Sequence, residues 1–204
     1  MSEFDQKAKE WDKNLMHLER TKAVAGLLIE KVAITPNMKA MEFGAGTGLL
    51  SFFMKDRFEE ITLMDSSIEM LKMALQKMEA GDHLKLKTLF FDLEKDDYKG
   101  DPFDIIYSQM VLHHIKDIKA IIGKFYTLLT PGGILAIADL YQEDGSFHDD
   151  VVDVHPGFDP ENLKTILEGQ GFTHINFSHC FVIRKQNESG AHKEYPVFLL
   201  TARK

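Results

Sequence analysis

Short apolar runs rich in β-forming residues alternate along the chain with segments whose apolar residues recur at helical spacing. The runs are Lys39–Phe43, Ile61–Met64, Leu84–Phe91, Phe103–Tyr107 and Ile134–Leu140. This alternation predicts βαβ units and a parallel sheet. Helical spacing marks Lys7 to Val32, with Leu15, Leu18, Ala25, Leu28 and Val32 near one face. It also marks Thr47 to Phe58, Ser67 to Glu79, Asp117 to Leu129 and Pro160 to Gly169. In the Ser67 segment, Ile68, Leu71, Leu75 and Met78 form a stripe expected to face the core. Thr130-Pro131-Gly132-Gly133 should stop the preceding helix and turn the chain, while Asp159 should cap the last helix ahead of Pro160. Ile175–Arg184 and Pro196–Arg203 read as two long strands joined by a polar turn, Gln186 to Glu194. Adjacent strands without a helix between them predict an antiparallel hairpin. The expected order is five βα units and then a hairpin, an α/β fold in a single domain.

Length and charge narrow the function. The 204 residues suffice for one domain with a substantial core. The formal net charge of −8 repels polyphosphate on average, so nucleic acid is not expected as a partner. Lys85-Leu86-Lys87 and Arg184-Lys185 are too sparse for a basic patch and read as solvated strand ends. No apolar run is long enough to span a membrane, and Met1 to Trp11 lacks a secretory pattern. The lone Cys180 cannot form an internal disulfide and reads as a small buried apolar residue, so the cytoplasm is the expected location. A small-molecule partner is favoured, and oligomeric state is left open.

The strongest local signal is Glu42-Phe43-Gly44-Ala45-Gly46-Thr47-Gly48, where a strand runs into a glycine-rich turn and then a helix. Glycine lets the backbone turn sharply and lets a ligand approach without a Cβ in the way. A dinucleotide fingerprint needs its third glycine where Leu49 stands, which disfavours a pyrophosphate cradle. Two acids follow at successive strand ends. Asp65 can accept ribose hydroxyls or act as a helix cap. Asp92 can accept from an adenine amino group or serve a turn. All three features fall outside the carboxyl ends of the strands, where open α/β sheets bind ligands.

These residues together closely resemble the class I S-adenosylmethionine-dependent methyltransferases. The glycine loop matches the family's, including Glu42 two residues before the first glycine. Asp65 with Ser66 corresponds to its ribose-binding acid, and Asp92-Leu93 to its adenine-side pair. Ser108-Gln109-Met110-Val111-Leu112-His113-His114-Ile115 is similar to the segment after the fourth strand in the small-molecule branch, and Leu128 to Gly133 to the turn before the fifth. Lys9-Glu10-Trp11-Asp12 resembles a branch whose first helix closes over the cofactor. The resemblance implies a Rossmann-like seven-stranded sheet, order 3-2-1-4-5-7-6 with strand 7 antiparallel and helices on both faces. It implies an N-terminal helical cap over 1–37 and an α/β core over 38–204. It implies S-adenosyl-L-methionine as cofactor, contacted by Trp11, Glu42, Gly44, Ala45, Gly46, Gly48, Asp65, Ser66, Asp92, Leu93, Ser108 and Gln109.

The donor of such a reaction is a sulfonium, so the leaving group needs no activation and positioning dominates. A base matters only where the acceptor must lose a proton. Candidates on the acceptor side are His113, His114, Tyr141 and His148, with Glu143 and His155 in the same loop; each histidine can equally pack or lie exposed. His148, Asp149, Asp150 and His155 are metal-ligating types without tight ligand spacing, and no metal is expected. Ser108 to Val111 departs from the Asn/Asp-Pro-Pro-Tyr pattern of enzymes that methylate planar amides and bases. Oxygen, sulfur, carbon, aliphatic amine and arsenic acceptors remain open. The competing readings are a non-catalytic S-adenosylmethionine-binding protein of the same fold and a nicotinamide oxidoreductase, the latter opposed by Leu49 and the terminal hairpin.

Overall fold

The computed structural model describes residues 8–81, 83–148, 154–186 and 192–204. A 3-10 turn, Ala8–Lys13, leads into helix α1, Leu15–Lys31, and then β1, Lys39–Phe43. Next come α2 (Leu49–Met54), β2 (Glu60–Asp65), α3 (Ile68–Glu79), β3 (Leu86–Phe90) and β4 (Phe103–Gln109). After them run α4 (Ile118–Leu128), β5 (Leu129–Leu140), α5 (Pro160–Gly169), β6 (Thr173–Gln186) and β7 (His192–Arg203). The strands form one seven-stranded sheet in the order β3-β2-β1-β4-β5-β7-β6. β7 runs antiparallel to both β5 and β6, and the other pairings are parallel.

Strand alternation divides the core into two layers. Ala40, Leu63, Ile105 and Ala136 face one side with Val24, Leu28, Leu50 and Leu71 of α1 to α3. Met41, Met64, Ile106 and Leu135 face the other with Ile121, Phe125, Leu163 and Leu167 of α4 and α5. Burial on both faces explains why the central strands are almost wholly apolar rather than alternating. Side-chain caps fix the helix starts: Asn14, Ser67, Asp117 and Asp159 each accept from a backbone N–H of the first turn. The Asp159 cap and the helix over Pro160–Gly169 are as expected. Among the described residues no helix is long and apolar enough to cross a membrane.

Several expectations are corrected. The segment from Lys7 to Val32 is not one helix, because Asn14 takes an extended conformation and caps a new helix at Leu15. Leu15 is 73% exposed, so the buried face starts further along. In α3, Ile68 and Leu75 are exposed and Met70, Leu71 and Ala74 form the buried stripe. Thr130 to Gly133 does not turn the chain before the fifth strand; it lies within β5, which pairs with β4 from Leu129 onward across an irregularity near Phe103. Residues 91–102 carry turns and no helix, so the third βα unit lacks its helix. The terminal strands extend further than expected, and the centre of their polar turn lies outside the described residues.

Candidate functional site

A cavity of about 810 Å³ opens at the carboxyl ends of β1, β2 and β4. The glycine loop forms one wall, and each glycine is there for a different reason. Gly44 has φ +64, and a Cβ on it would lie 2.5 Å from Val111 Cγ2. Gly48 starts α2 at φ +76, where a Cβ would meet Leu63 Cδ2 at 2.4 Å. Gly46, at φ +57, meets only Met70 Sδ at 3.9 Å, so it leaves open space toward the cavity.

Asp65, at the end of β2, ties this loop to α3. One of its oxygens accepts from Gly46 N at 2.7 Å and the other from Ser67 N at 2.7 Å. The helix cap itself is Ser67, so Asp65 is not merely a cap. An ionised carboxylate offers about four lone-pair sites, and Asp65 lines the cavity. Asp92 also lines the cavity and accepts from Glu94 N and from the Lys95 ammonium. Burial disfavours its ionisation, but the Lys95 hydrogen bond and charge outweigh that and hold the carboxyl below its usual range.

Glu42 is buried and accepts from both the backbone N and the hydroxyl of Ser51, whose oxygen also lies 2.7 Å from the Tyr107 hydroxyl. Burial pushes the Glu42 carboxyl up to about 8 against the Ser51 hydrogen bonds, with the nearby Asp65 charge adding to the rise. Burial also raises the Tyr107 phenol well above its ordinary value.

The N-terminal turn lies across the site. Asp12 accepts from the Thr47 hydroxyl at 2.6 Å and pairs with Lys77 at 2.7 Å. Trp11 lines the cavity and its ring lies 4.4 Å from that of His17. Behind them sits a residue that sequence reasoning missed. Arg20 is 4% exposed, lines the cavity and makes no ion pair among the described residues. Its Nε has no hydrogen-bond partner there, and neither does Gln109 Oε1. Both line the cavity, and Gln109 Nε2 donates to the hydroxyl of Thr21, the residue after Arg20. Burial lowers the guanidinium to about 10, with Asp139 opposing. A signal existed: Arg20 precedes Val24 and Leu28 at intervals of four, a charge on the buried stripe of an amphipathic helix.

The far end of the cavity is built from histidines. His113 is 1% exposed and its Nδ1 lies 2.6 Å from Asp139 Oδ1. His114 and His148 stand with ring centres 4.2 and 5.1 Å from that of His113. The loop carrying His148 is fastened at its base by Gln142–Phe158, Glu143–Pro156 and His155–His113 backbone bonds. The convergence of His148 with the adjacent pair is not visible in sequence spacing.

Of the expected site residues, Trp11, Glu42, Gly44, Ala45, Gly46, Asp65, Ser66, Asp92, Leu93, Gln109, His113, His114 and His148 line the one cavity. Gly48 and Ser108 do not; Gly48 shapes the turn and Ser108 is buried in β4. Tyr141 does not line it either. Its ring packs against Phe198 and stacks on His179, and its backbone bridges Phe158. Asp149 and Asp150 lie outside the described residues.

A buried lone donor and a buried lone acceptor beside a glycine cradle fit a ligand that carries both a carboxylate and an ammonium group, together with a ribosyl end for Asp65. Residues 41–135 match a family model described as a methyltransferase domain. A methyltransferase of Schizosaccharomyces pombe is 28% identical over 164 residues, covering 72% of this chain and 56% of its own length. Phosphoethanolamine N-methyltransferase 3 of Arabidopsis thaliana is 31% identical over 123 residues, covering 60% of this chain and 24% of its own. The chain therefore spans about half the length of the first relative and about a quarter of the second. The structure of phosphoethanolamine N-methyltransferase 2 of Haemonchus contortus in complex with S-adenosyl-L-methionine superposes with a TM-score of 0.72 at 13% identity, covering 100% of this chain and 60% of that one. At that identity the likeness is one of fold. Residues 41–135 are thus similar to a methyltransferase domain, and the fold is shared with a methyltransferase that binds S-adenosyl-L-methionine.

Proposed function

We propose that the protein transfers the methyl group of S-adenosylmethionine to a small-molecule acceptor held beside His113, His114 and His148. One observation carries the reading: the unsatisfied pair of Arg20 Nε and Gln109 Oε1 shares a cavity with that histidine cluster. In this reading Asp65 takes the ribose hydroxyls, Asp92 and Leu93 the adenine, Arg20 the methionyl carboxylate and Gln109 the ammonium. Trp11 closes the mouth. The bound cofactor supplies a methyl group on a positively charged sulfur that leaves as a neutral thioether. The chain's own task is to hold the acceptor atom in line with that methyl group and to exclude water. Where the acceptor must lose a proton, His114 is the base.

The proposal includes a cytoplasmic setting, which the lone Cys180 supports, and an acceptor that is not nucleic acid, which the net charge of −8 supports. It treats the chain as one domain, with residues 1–37 as a helical cap on the core. The test is transfer of labelled methyl from S-adenosylmethionine to a panel of small acceptors. The expected result is turnover of at least one acceptor. His114→Ala should reduce it while S-adenosylhomocysteine affinity stays within about two-fold, since cofactor contacts are untouched. Tight S-adenosylhomocysteine binding with no transfer to any acceptor would instead identify a binding protein.

A further inference from the structure

We propose that His113, His114 and His148 bind a divalent transition-metal ion, of the zinc or ferrous type, at the acceptor end of the cavity. Asp139 is the positioning residue behind it. One nitrogen from each of the three rings lies within 4.8 Å of the others. Imidazoles held on a tetrahedral ion by bonds of about 2.0–2.1 Å have ring centres roughly 5 Å apart. The separations of His148 from His113 and from His114 are both 5.1 Å, while His113 and His114, at 4.2 Å, must open by roughly 1 Å.

The surroundings prepare His113 as a ligand. Asp139 is fully buried and accepts from Leu140 N at 2.7 Å, from His113 N at 3.3 Å and from the His113 ring at 2.6 Å. A carboxylate only accepts, so Nδ1 carries the proton and the lone pair of Nε2 is left for a ligand. A carboxylate behind a ligating histidine is the common supporting arrangement of metal sites. Phe147 packs edge-on against both His113 and His148 and limits their rotation. The charges that oppose a cation here are Arg20 and Lys185. Asp139 acts on Arg20, and the Lys185 ammonium is held by the Phe147 carbonyl and ring.

Three protein ligands leave a fourth position open to the cavity, as in catalytic rather than structural zinc sites. The role of the ion rests on the methyltransferase reading; its binding does not. With the ion bound, His114 serves as a ligand and not as the base, and an acceptor hydroxyl or thiol in the fourth position would give its proton to solvent and remain bound as the anion. Its electron pair then forms the bond to the methyl carbon as the methyl–sulfur bond breaks and that pair returns to sulfur.

The experiment uses untagged, metal-stripped full-length protein titrated with Zn²⁺ by calorimetry and with Co²⁺ by visible spectroscopy. S-Adenosylhomocysteine is titrated into the same samples. The expected result is one equivalent of tight Zn²⁺ and a tetrahedral Co²⁺ spectrum that Zn²⁺ displaces. His148→Ala, in a surface loop, should weaken Zn²⁺ at least a hundredfold, and Asp139→Asn by roughly ten- to a hundred-fold. Absence of the Co²⁺ spectrum, or Zn²⁺ binding unchanged in His148→Ala, would overturn the site while normal S-adenosylhomocysteine binding left the methyltransferase reading intact. Tight Zn²⁺ in wild type, lost in His148→Ala, with no S-adenosylhomocysteine binding, would support the site and sink that reading.

Discussion

The Asp12 carboxylate accepts a hydrogen bond from the Thr47 hydroxyl at 2.6 Å, joining the N-terminal turn to the residue between two loop glycines. Its second oxygen pairs with Lys77 of α3, so one side chain holds the turn against both walls of the cofactor cavity. Trp11 is carried over the cavity by this clasp, and it is the only tryptophan. If the turn must lift for the cofactor to leave, the clasp sets the dissociation rate. Asp12→Ala removes a charge-assisted bond, of order 1.5–3 kcal/mol, and should speed release of S-adenosylhomocysteine roughly ten-fold or more. Stopped-flow Trp11 fluorescence measures this directly, and an unchanged off-rate would mean that the turn does not gate the site.

Arg20 should bind the carboxylate end of the cofactor. Arg20→Met keeps much of the buried volume and removes the charge, so S-adenosylhomocysteine affinity should fall about ten- to a hundred-fold. Methylthioadenosine, which has no carboxylate, should bind wild type and variant alike. Equal losses for both ligands in calorimetry would show that Arg20 acts through the fold and not through the carboxylate. In the free protein the variant should be no less stable, because an unpaired buried guanidinium is removed.

Glu42 should make stability fall as pH rises. Its carboxyl titrates near 8 in the folded chain, against 4.5 as the ordinary value. Between those values the folded state holds a proton that the unfolded state has lost, so the stabilisation present below the lower value disappears as pH climbs through the upper one. The slope is at most about 1.4 kcal/mol per pH unit. Glu42→Gln keeps an acceptor for Ser51 and carries no charge to bury. Urea midpoints across pH 5 to 8 should therefore converge at the acid end and favour the variant increasingly toward pH 8. Parallel curves for the two proteins would show that Glu42 is ionised throughout.

What the sequence made legible was what lies contiguous in it. The glycine loop, Asp65 and Asp92 each sit beside a strand end whose apolar run is unmistakable, so the fold and the acids that line the cavity could be read together. The stripe of α3 was misread because Met70 and Ala74 are as compatible with helical spacing as Ile68 and Leu75, and only packing against β2 and β3 selects between them. Asn14 hid a helix boundary inside a segment with continuous apolar spacing. Arg20 was visible as a charge on an apolar face, but its meaning depends on Gln109, brought to Thr21 of α1 from the end of β4. The meeting of His148 with His113 depends on the loop after β5 folding back onto the turn that follows β4, which no local pattern encodes.

The close fit of Gly44 against Val111 gives a prediction that separates two physical costs. Gly44 has φ +64, a region that costs an L-residue roughly 1–2 kcal/mol. A Cβ there would also stand 2.5 Å from Val111 Cγ2 and 2.6 Å from Cγ1, too near for either atom to stay put. Gly44→Ala should therefore destabilise the protein by more than the conformational cost alone. Val111→Ala removes both methyl groups that a Cβ would strike, at a modest packing cost of its own, since Val111 is only partly buried against the second core layer. In the double variant most of the steric part should be recovered, with only Val111 Cβ still close at 3.0 Å, and the φ cost should remain. Urea denaturation of the four proteins should give a favourable coupling of about 1 kcal/mol or more between the two sites. S-Adenosylhomocysteine affinity should recover with it, because the Cβ points at Val111 and the loop is displaced only by the clash. Strict additivity of the two substitutions would mean that the loop already yields at Gly44, and that only the backbone conformation requires glycine there.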